Sequence, residues 1–170
     1  MAVSAPRAGS HAEPRYGHLV GERCPKFRVR EASGELVGEG DLTGVLTLLV
    51  FYPFAFTPTC DAELTELDSR IREFDDVAIL AISCDPPAAV RAFQEQEDFA
   101  FEMASDFWPH GAAASAFGVF DAETGTAQRA SFVLSPSGEV LWSVINPAGQ
   151  ARPVQSYLDA LAPHRVEGPA

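Results

Sequence analysis

Long apolar runs, positive charge and cysteine are all scarce in this chain of 170 residues. The longest strongly apolar stretch, Val45 to Tyr52, is interrupted by Thr47 and falls far short of the roughly 20 residues that cross a bilayer. No apolar signal segment occurs either. Lys and Arg together number 12 against 24 Asp and Glu, a net charge of −12 that repels phosphate backbones and anionic lipid. Neither nucleic acid nor a membrane surface is therefore an expected partner, whereas a small neutral substrate is compatible. The acidity is uneven, because residues 1–30 carry more basic than acidic side chains. Three cysteines, Cys24, Cys60 and Cys84, cannot all pair within one chain, and Cys-x-x-Cys is absent. Free thiols fit a reducing, cytoplasmic compartment. His11, His18, His110 and His164 are scattered without zinc-ligand spacing, so no metal and no cofactor are expected.

What remains is ordinary globular material, with 46% hydrophobic and 21% charged residues over a length that suits one core. Residues 1–16 mix Ala, Pro, Gly and Ser with isolated charges and read as a flexible N-terminal extension; residues 17–164 form the domain and 165–170 a tail. Pro25 to Arg30 alternates polar with apolar, and Ser33-Gly34 before Leu36-Val37 predicts a short N-terminal hairpin. Val45 to Tyr52 reads as a central strand buried on both faces. Pro53 ends it, and Pro58 keeps Phe54 to Thr59 from pairing regularly.

A helix is predicted from near Cys60, with Leu64, Leu67, Ile71 and Phe74 on one face and Asp61 and Glu63 in the first turn. Val77 to Ser83 is a second buried strand, Pro87 to Asp98 a helix opened by proline, and Phe99 to Met103 a short strand. His110 to Phe117 reads as a short helix. Ser131 to Leu134 and Leu141 to Ile145 form an antiparallel hairpin, and Val154 to Leu161 is a terminal helix. The fold class is α/β: a central mixed β-sheet with helices on both faces and an N-terminal hairpin.

One residue combines the features of a reactive thiol. Cys60 follows a loop off the central strand and sits in the first turn of a helix, where unpaired N–H groups and the dipole favour the thiolate. A small buried hydrophobe is the bland alternative for a free cysteine.

The stretch Pro53-Phe54-Ala55-Phe56-Thr57-Pro58-Thr59-Cys60 fits the pattern P-x-x-x-T/S-x-x-C and resembles the peroxiredoxins. The resemblance extends from about Val20 to Leu161. Gly21 with Pro25-Lys26-Phe27 is similar to the family's opening, Ala81-Ile82-Ser83 to its second core strand, and Arg129-Ala130-Ser131-Phe132-Val133 to its strand led by arginine. Phe51 to Phe56 and Ser105 to Gly111 most resemble the one-cysteine alkyl hydroperoxide reductase E subgroup of actinobacteria. The resemblance implies a thioredoxin-like sandwich and a thiol-dependent peroxidase active in antioxidant defence. In thioredoxins a Cys-x-x-Cys follows the same strand; here Thr57 stands in the first position, which disfavours dithiol exchange.

The resemblance also implies roles. Cys60 attacks a hydroperoxide and becomes a sulfenic acid. Arg129 lies beside it as the cation, although local sequence alone reads it as a surface arginine at a strand start. The Thr57 hydroxyl faces the sulfur or the peroxide, with a bond to its own backbone as the alternative. Pro53 shields the thiolate. A carboxylate near a thiol opposes its ionisation, so Glu63 helps only by orienting Arg129; a first-turn dipole role is the other reading. The family's resolving position on the same helix is Thr65, and Cys24 and Cys84 read as packing residues. An external thiol or redoxin is thus the expected reductant, mycothiol with mycoredoxin first and thioredoxin second. Homodimerisation through Phe107 to Gly111 follows from the same likeness. A peroxide-sensing switch or binding module with slow turnover is the competing function.

Overall fold

The computed structural model describes residues 12–165. Its strands are β1 (Arg15–Tyr16), β2 (Arg28–Glu31), β3 (Leu36–Gly38), β4 (Leu46–Phe51), β5 (Val77–Ser83), β6 (Glu102–Ser105), β7 (Phe120–Asp121), β8 (Thr126–Ala127), β9 (Arg129–Leu134) and β10 (Val140–Asn146). The α-helices are α1 (Pro58–Ser69), α2 (Pro87–Glu97), α3 (Ala112–Ala116) and α4 (Val154–Leu161). Eight strands form one sheet in the order β1-β10-β9-β4-β5-β6-β2-β3, and β7 with β8 makes a separate small hairpin. The β4–α1–β5–α2–β6 succession supplies the parallel centre, Leu46 opposite Val77 through Phe51 opposite Ile82, and Leu80 opposite Glu102 through Ser83 opposite Ser105. All other pairings in the sheet are antiparallel.

The period-two alternation of β4 divides the core. Leu46, Leu48 and Val50 face the layer that holds Cys60, Leu64, Phe93 and Tyr157, so α1, α2 and α4 cover that side. Leu49 and Phe51 face the opposite layer, with Cys84, Ala113, Phe117 and Phe132, covered by α3. Every residue of β4 is buried, and each fully buried Leu there contributes about 1.5–3 kcal/mol through removal from water. A strand apolar on both faces needs helices on both faces, which explains why the run from Val45 to Tyr52 occupies the middle of the sheet.

The structure departs from the sequence reading at four places. The helix begun near Cys60 stops at Ser69, whose hydroxyl donates to Glu66 O at 2.7 Å; this local bond competes with the backbone ladder. A 3₁₀ turn over Ile71–Phe74 then returns Phe74 to the core. The strand placed at Phe99 to Met103 begins only at Glu102, because Phe99 and Phe101 stack on each other at 5.1 Å and fill space beside Phe93. The hairpin of β7 and β8 went unread. Finally, the 16/17 boundary cuts a paired element: Arg15 and Tyr16 add a short edge strand to β10, opposite Ile145 and Val144. Most of the predicted extension (1–11) and of the predicted tail (166–170) lies outside the described residues. Among the described residues no helix is long and apolar enough to cross a membrane.

Candidate active site

The chain leaves the carboxyl end of β4 at Phe51 and must turn before α1 begins. Ala55 N donates to Asp85 Oδ2 at 2.8 Å, and Ser83 Oγ donates to the same oxygen at 2.7 Å, so the loop is tied to the end of β5. Phe56 holds a left-handed conformation, φ +62°, which costs a bulky residue energy. Its ring packs on Phe93 with centroids 4.9 Å apart. Thr57 is the extended N-cap residue and Pro58 opens the helix, where a missing N–H removes no intrahelical bond. The first helical bond runs from Asp61 N to Thr57 O at 2.8 Å. Cys60 therefore lies in the turn whose N–H groups have no partner within the helix, and it is 1% exposed.

Arg129 arrives from β9, the antiparallel neighbour of β4. Its Nη2 donates to Cys60 Sγ at 3.5 Å, and its Nη1 donates to Glu63 Oε2. Glu63 lies one helical turn beyond Cys60 and is 6% exposed. A second guanidinium completes the cluster. Arg152 Nε donates to Glu63 Oε1 at 3.0 Å and Nη2 to Oε2 at 3.1 Å. Arg152 Nη1 reaches Phe51 O at 2.8 Å, Ala130 O at 2.7 Å and Ser131 Oγ at 2.9 Å. Arg152, itself 1% exposed, thus ties the ends of β4 and β9 to the first turns of α1.

Burial pushes the Glu63 carboxyl up, but Arg152, followed by Arg129, outweighs it and holds the group below its ordinary value. Glu63 is thereby a carboxylate. Two guanidinium groups against one carboxylate leave a surplus positive charge beside Cys60 Sγ in a buried site.

Cys60 opens onto a cavity of about 600 Å³, bordered also by Pro53, Thr57, Arg129, Ile145 and Pro147. Four of the predicted site residues, Cys60, Thr57, Pro53 and Arg129, meet there; Glu63 stands behind Arg129 and positions it. Thr57 takes the alternative of its sequence reading, a bond to its own loop backbone. Its hydroxyl donates to Phe54 O at 2.9 Å, so its proton is committed to the loop backbone and its oxygen is left to accept.

Residues 20–143 match the AhpC/TSA family. The chain belongs to that family, the peroxiredoxins. Membership makes it a thiol-dependent peroxidase. Alkyl hydroperoxide reductase E of Mycobacterium tuberculosis is 40% identical over 146 residues, which cover 84% of this chain and 95% of that one. The AhpC structure from Enterococcus faecalis superposes with a TM-score of 0.77 at 25% identity, covering 87% of this chain and 93% of that one. Peroxidoxin BcpB from Mycobacterium tuberculosis has a TM-score of 0.79 over 88% of this chain and 100% of its own; at 24% identity it speaks for the fold alone.

In this peroxiredoxin the other thiols stand apart from the cavity. Cys84 and Cys24 pack in the layer across the sheet from Cys60. Burial, reinforced by Asp106, pushes the Cys84 thiol up to about 12, and burial with Glu39 pushes Cys24 up to about 11. All 3 cysteines are free. Phe107 and Trp108 lie outside the cavity and are exposed, Trp108 by 82%, so core packing does not account for them. Arg152 is the residue that sequence reasoning missed. It sits in a turn between Pro147 and Pro153 that reads as surface loop, yet it is the only charged residue between Glu139 and Asp159. A lone cation in an apolar stretch was the available signal.

Proposed function

We propose that this chain reduces hydrogen peroxide and organic hydroperoxides through a Cys60 sulfenic acid, which an external thiol or redoxin recycles. The observation that carries the reading is the Arg129 guanidinium 3.5 Å from a helix-start thiol at the wall of an open cavity. The thiolate attacks the terminal peroxide oxygen; an S–O bond forms as the O–O bond breaks, and the departing oxygen leaves as alkoxide or hydroxide and takes a proton from water. Arg129, with the N–H groups of the first turn, stabilises the charge that builds on that oxygen. Thr57 accepts from the peroxide hydroxyl, and Pro53 limits access of water. A reductant thiol then condenses with the sulfenic acid, releasing water and leaving a mixed disulfide, and a second thiol frees Cys60.

The placement of Cys24 and Cys84 across the sheet supports an external first thiol, and the resemblance to the one-cysteine actinobacterial subgroup implies mycothiol with mycoredoxin first and thioredoxin second. The exposed Phe107 and Trp108 support homodimerisation through Phe107 to Gly111, in a cytoplasmic enzyme.

Sulfenic-acid trapping and thiol counting after one equivalent of hydrogen peroxide test the chemistry. One thiol should be lost with a trapped sulfenic acid, and Cys60→Ser should show neither. Loss of two thiols would name an internal resolving cysteine. Oxidation without turnover under any thiol or redoxin would favour a peroxide-sensing switch.

A further inference from the structure

The family match begins at residue 20, yet Ala12, Glu13 and Arg15 border the cavity over Cys60. The segment that carries them is fastened at several points. Arg15 and Tyr16 pair with Ile145 and Val144 on the outer edge of β10. Gly17 N donates to Ser143 O at 3.2 Å, and Ser143 Oγ donates to His18 O at 2.7 Å. The Tyr16 ring meets Trp142 with centroids 6.2 Å apart. Ile145, the strand partner of Arg15, is itself part of the cavity wall, so the pairing register delivers this segment to the rim.

Hydrogen peroxide fills little of such a space. A water molecule takes about 30 Å³ of the liquid, whereas the cavity holds about 600 Å³ and falls in the range of sites for drug-sized ligands, roughly 300–1,000 Å³. Apolar groups of Pro53, Phe54, Ile145, Pro147 and Ala148 offer contacts that only an organic body can use. Among the described residues the charges of Glu13 and Asp121 oppose that of Arg15, and Arg129 is engaged by Glu63, so the described rim offers no unopposed cation to an anionic tail.

We infer that Ala12 to Arg15 form a specificity-determining wall for the organic body of bulky, uncharged alkyl or aralkyl hydroperoxides. The inference rests on the peroxidase reading of Cys60. It adds that a segment outside the family match sets the choice between large and small peroxides.

The test uses the full chain and stopped-flow oxidation of Cys60 by cumene hydroperoxide and by hydrogen peroxide. Ala12→Trp, which fills the rim, should slow cumene hydroperoxide by about tenfold, the size of an altered group contact in an apolar pocket, while hydrogen peroxide stays within about twofold. Glu13→Gly with Arg15→Gly, which strips the wall, should slow cumene hydroperoxide by a few-fold and spare hydrogen peroxide. If both variants leave the ratio of the two rates unchanged, the wall inference is overturned and the peroxidase reading stands. If the unsubstituted chain reacts with neither peroxide faster than free cysteine does, both fall together.

Discussion

Cys60 and Cys84 lie beyond the carboxyl ends of adjacent parallel strands, and both are nearly sealed from solvent, at 1% and 5% exposure. They differ in what faces the sulfur. Cys60 has a helix N-terminus behind it and the Arg129 guanidinium 3.5 Å away. Cys84 has apolar neighbours and the carboxylates of Asp106 and Asp85, and its thiol is pushed up to about 12 by burial first and Asp106 second. Burial with facing carboxylates disfavours the Cys84 thiolate, whereas Arg129 and the helix start give Cys60 the surroundings that the proposed nucleophile requires. The sharpest way to break the comparison is to exchange the outcomes. Cys60→Ser should lower peroxide reduction by about three orders of magnitude or more, as loss of a nucleophile does. Cys84→Ser should keep the rate of Cys60 oxidation, read by stopped-flow fluorescence, close to that of the unsubstituted chain. Equal losses in both would erase the distinction.

The cation is the next part to remove. Arg129→Ala should slow Cys60 oxidation by about 10²–10³-fold, the usual cost of losing one charged donor at a reacting centre. Arg129→Lys should recover only part of it, because an ammonium cannot hold Glu63 and the sulfur in one planar fork. Full activity in Arg129→Ala would transfer the role to the helix N-terminus alone.

Much of this was legible locally, and the reason is physical. The run from Val45 to Tyr52, the proline after it and the apolar stripe of Leu64 and Leu67 each carry their own periodicity, so β4 and α1 emerge from neighbours in sequence. Cys60 and Thr57 belong to the same short segment, and the peroxiredoxin pattern is read there. Arg129 and Glu63 are 66 positions apart, and nothing in their surroundings states that they touch; likeness to a family placed Arg129 beside Cys60, and contact with Glu63 was one of two readings of that carboxylate. Arg152 lies 89 positions from Glu63 and had neither aid. β1 was invisible for another reason. Two residues are too few to show alternation, and the strand exists only because β10 offers an edge.

The Glu63–Arg152 pair tests how α1 is braced against the ends of β4 and β9. Removing one partner of a buried, hydrogen-bonded pair strands the other charge, so Arg152→Ala should destabilise the fold by about 3–5 kcal/mol in urea unfolding. Glu63→Gln should slow Cys60 oxidation as well, because Arg129 loses the carboxylate that aims it. The pair also sets an acid limit. The Glu63 carboxyl sits below its ordinary value of 4.5, burial being outweighed by Arg152 and then Arg129. Its stability contribution is therefore complete above that value and disappears as pH falls through the depressed one. Unfolding at acid pH should be less steep in Glu63→Gln than in the unsubstituted chain.

The smallest expected effect lies on the Cys84 side and has the opposite sign in pH. A thiol raised from 9.0 to about 12 keeps its proton in the folded chain while the unfolded chain releases it. Above about pH 9 the unfolded state binds fewer protons, so stability falls with rising pH until the folded thiol titrates as well. One group contributes a slope no steeper than about 1.4 kcal/mol per pH unit. Cys24, raised to about 11, adds a similar but shorter decline. Urea unfolding at several pH values from neutral to about 11 should therefore show a steeper alkaline loss in the unsubstituted chain than in Cys84→Ala, with the Cys24 part remaining in both. Coincident slopes would mean that Cys84 titrates as an ordinary thiol, and its inertness would then have to come from access alone rather than from the absence of a cation.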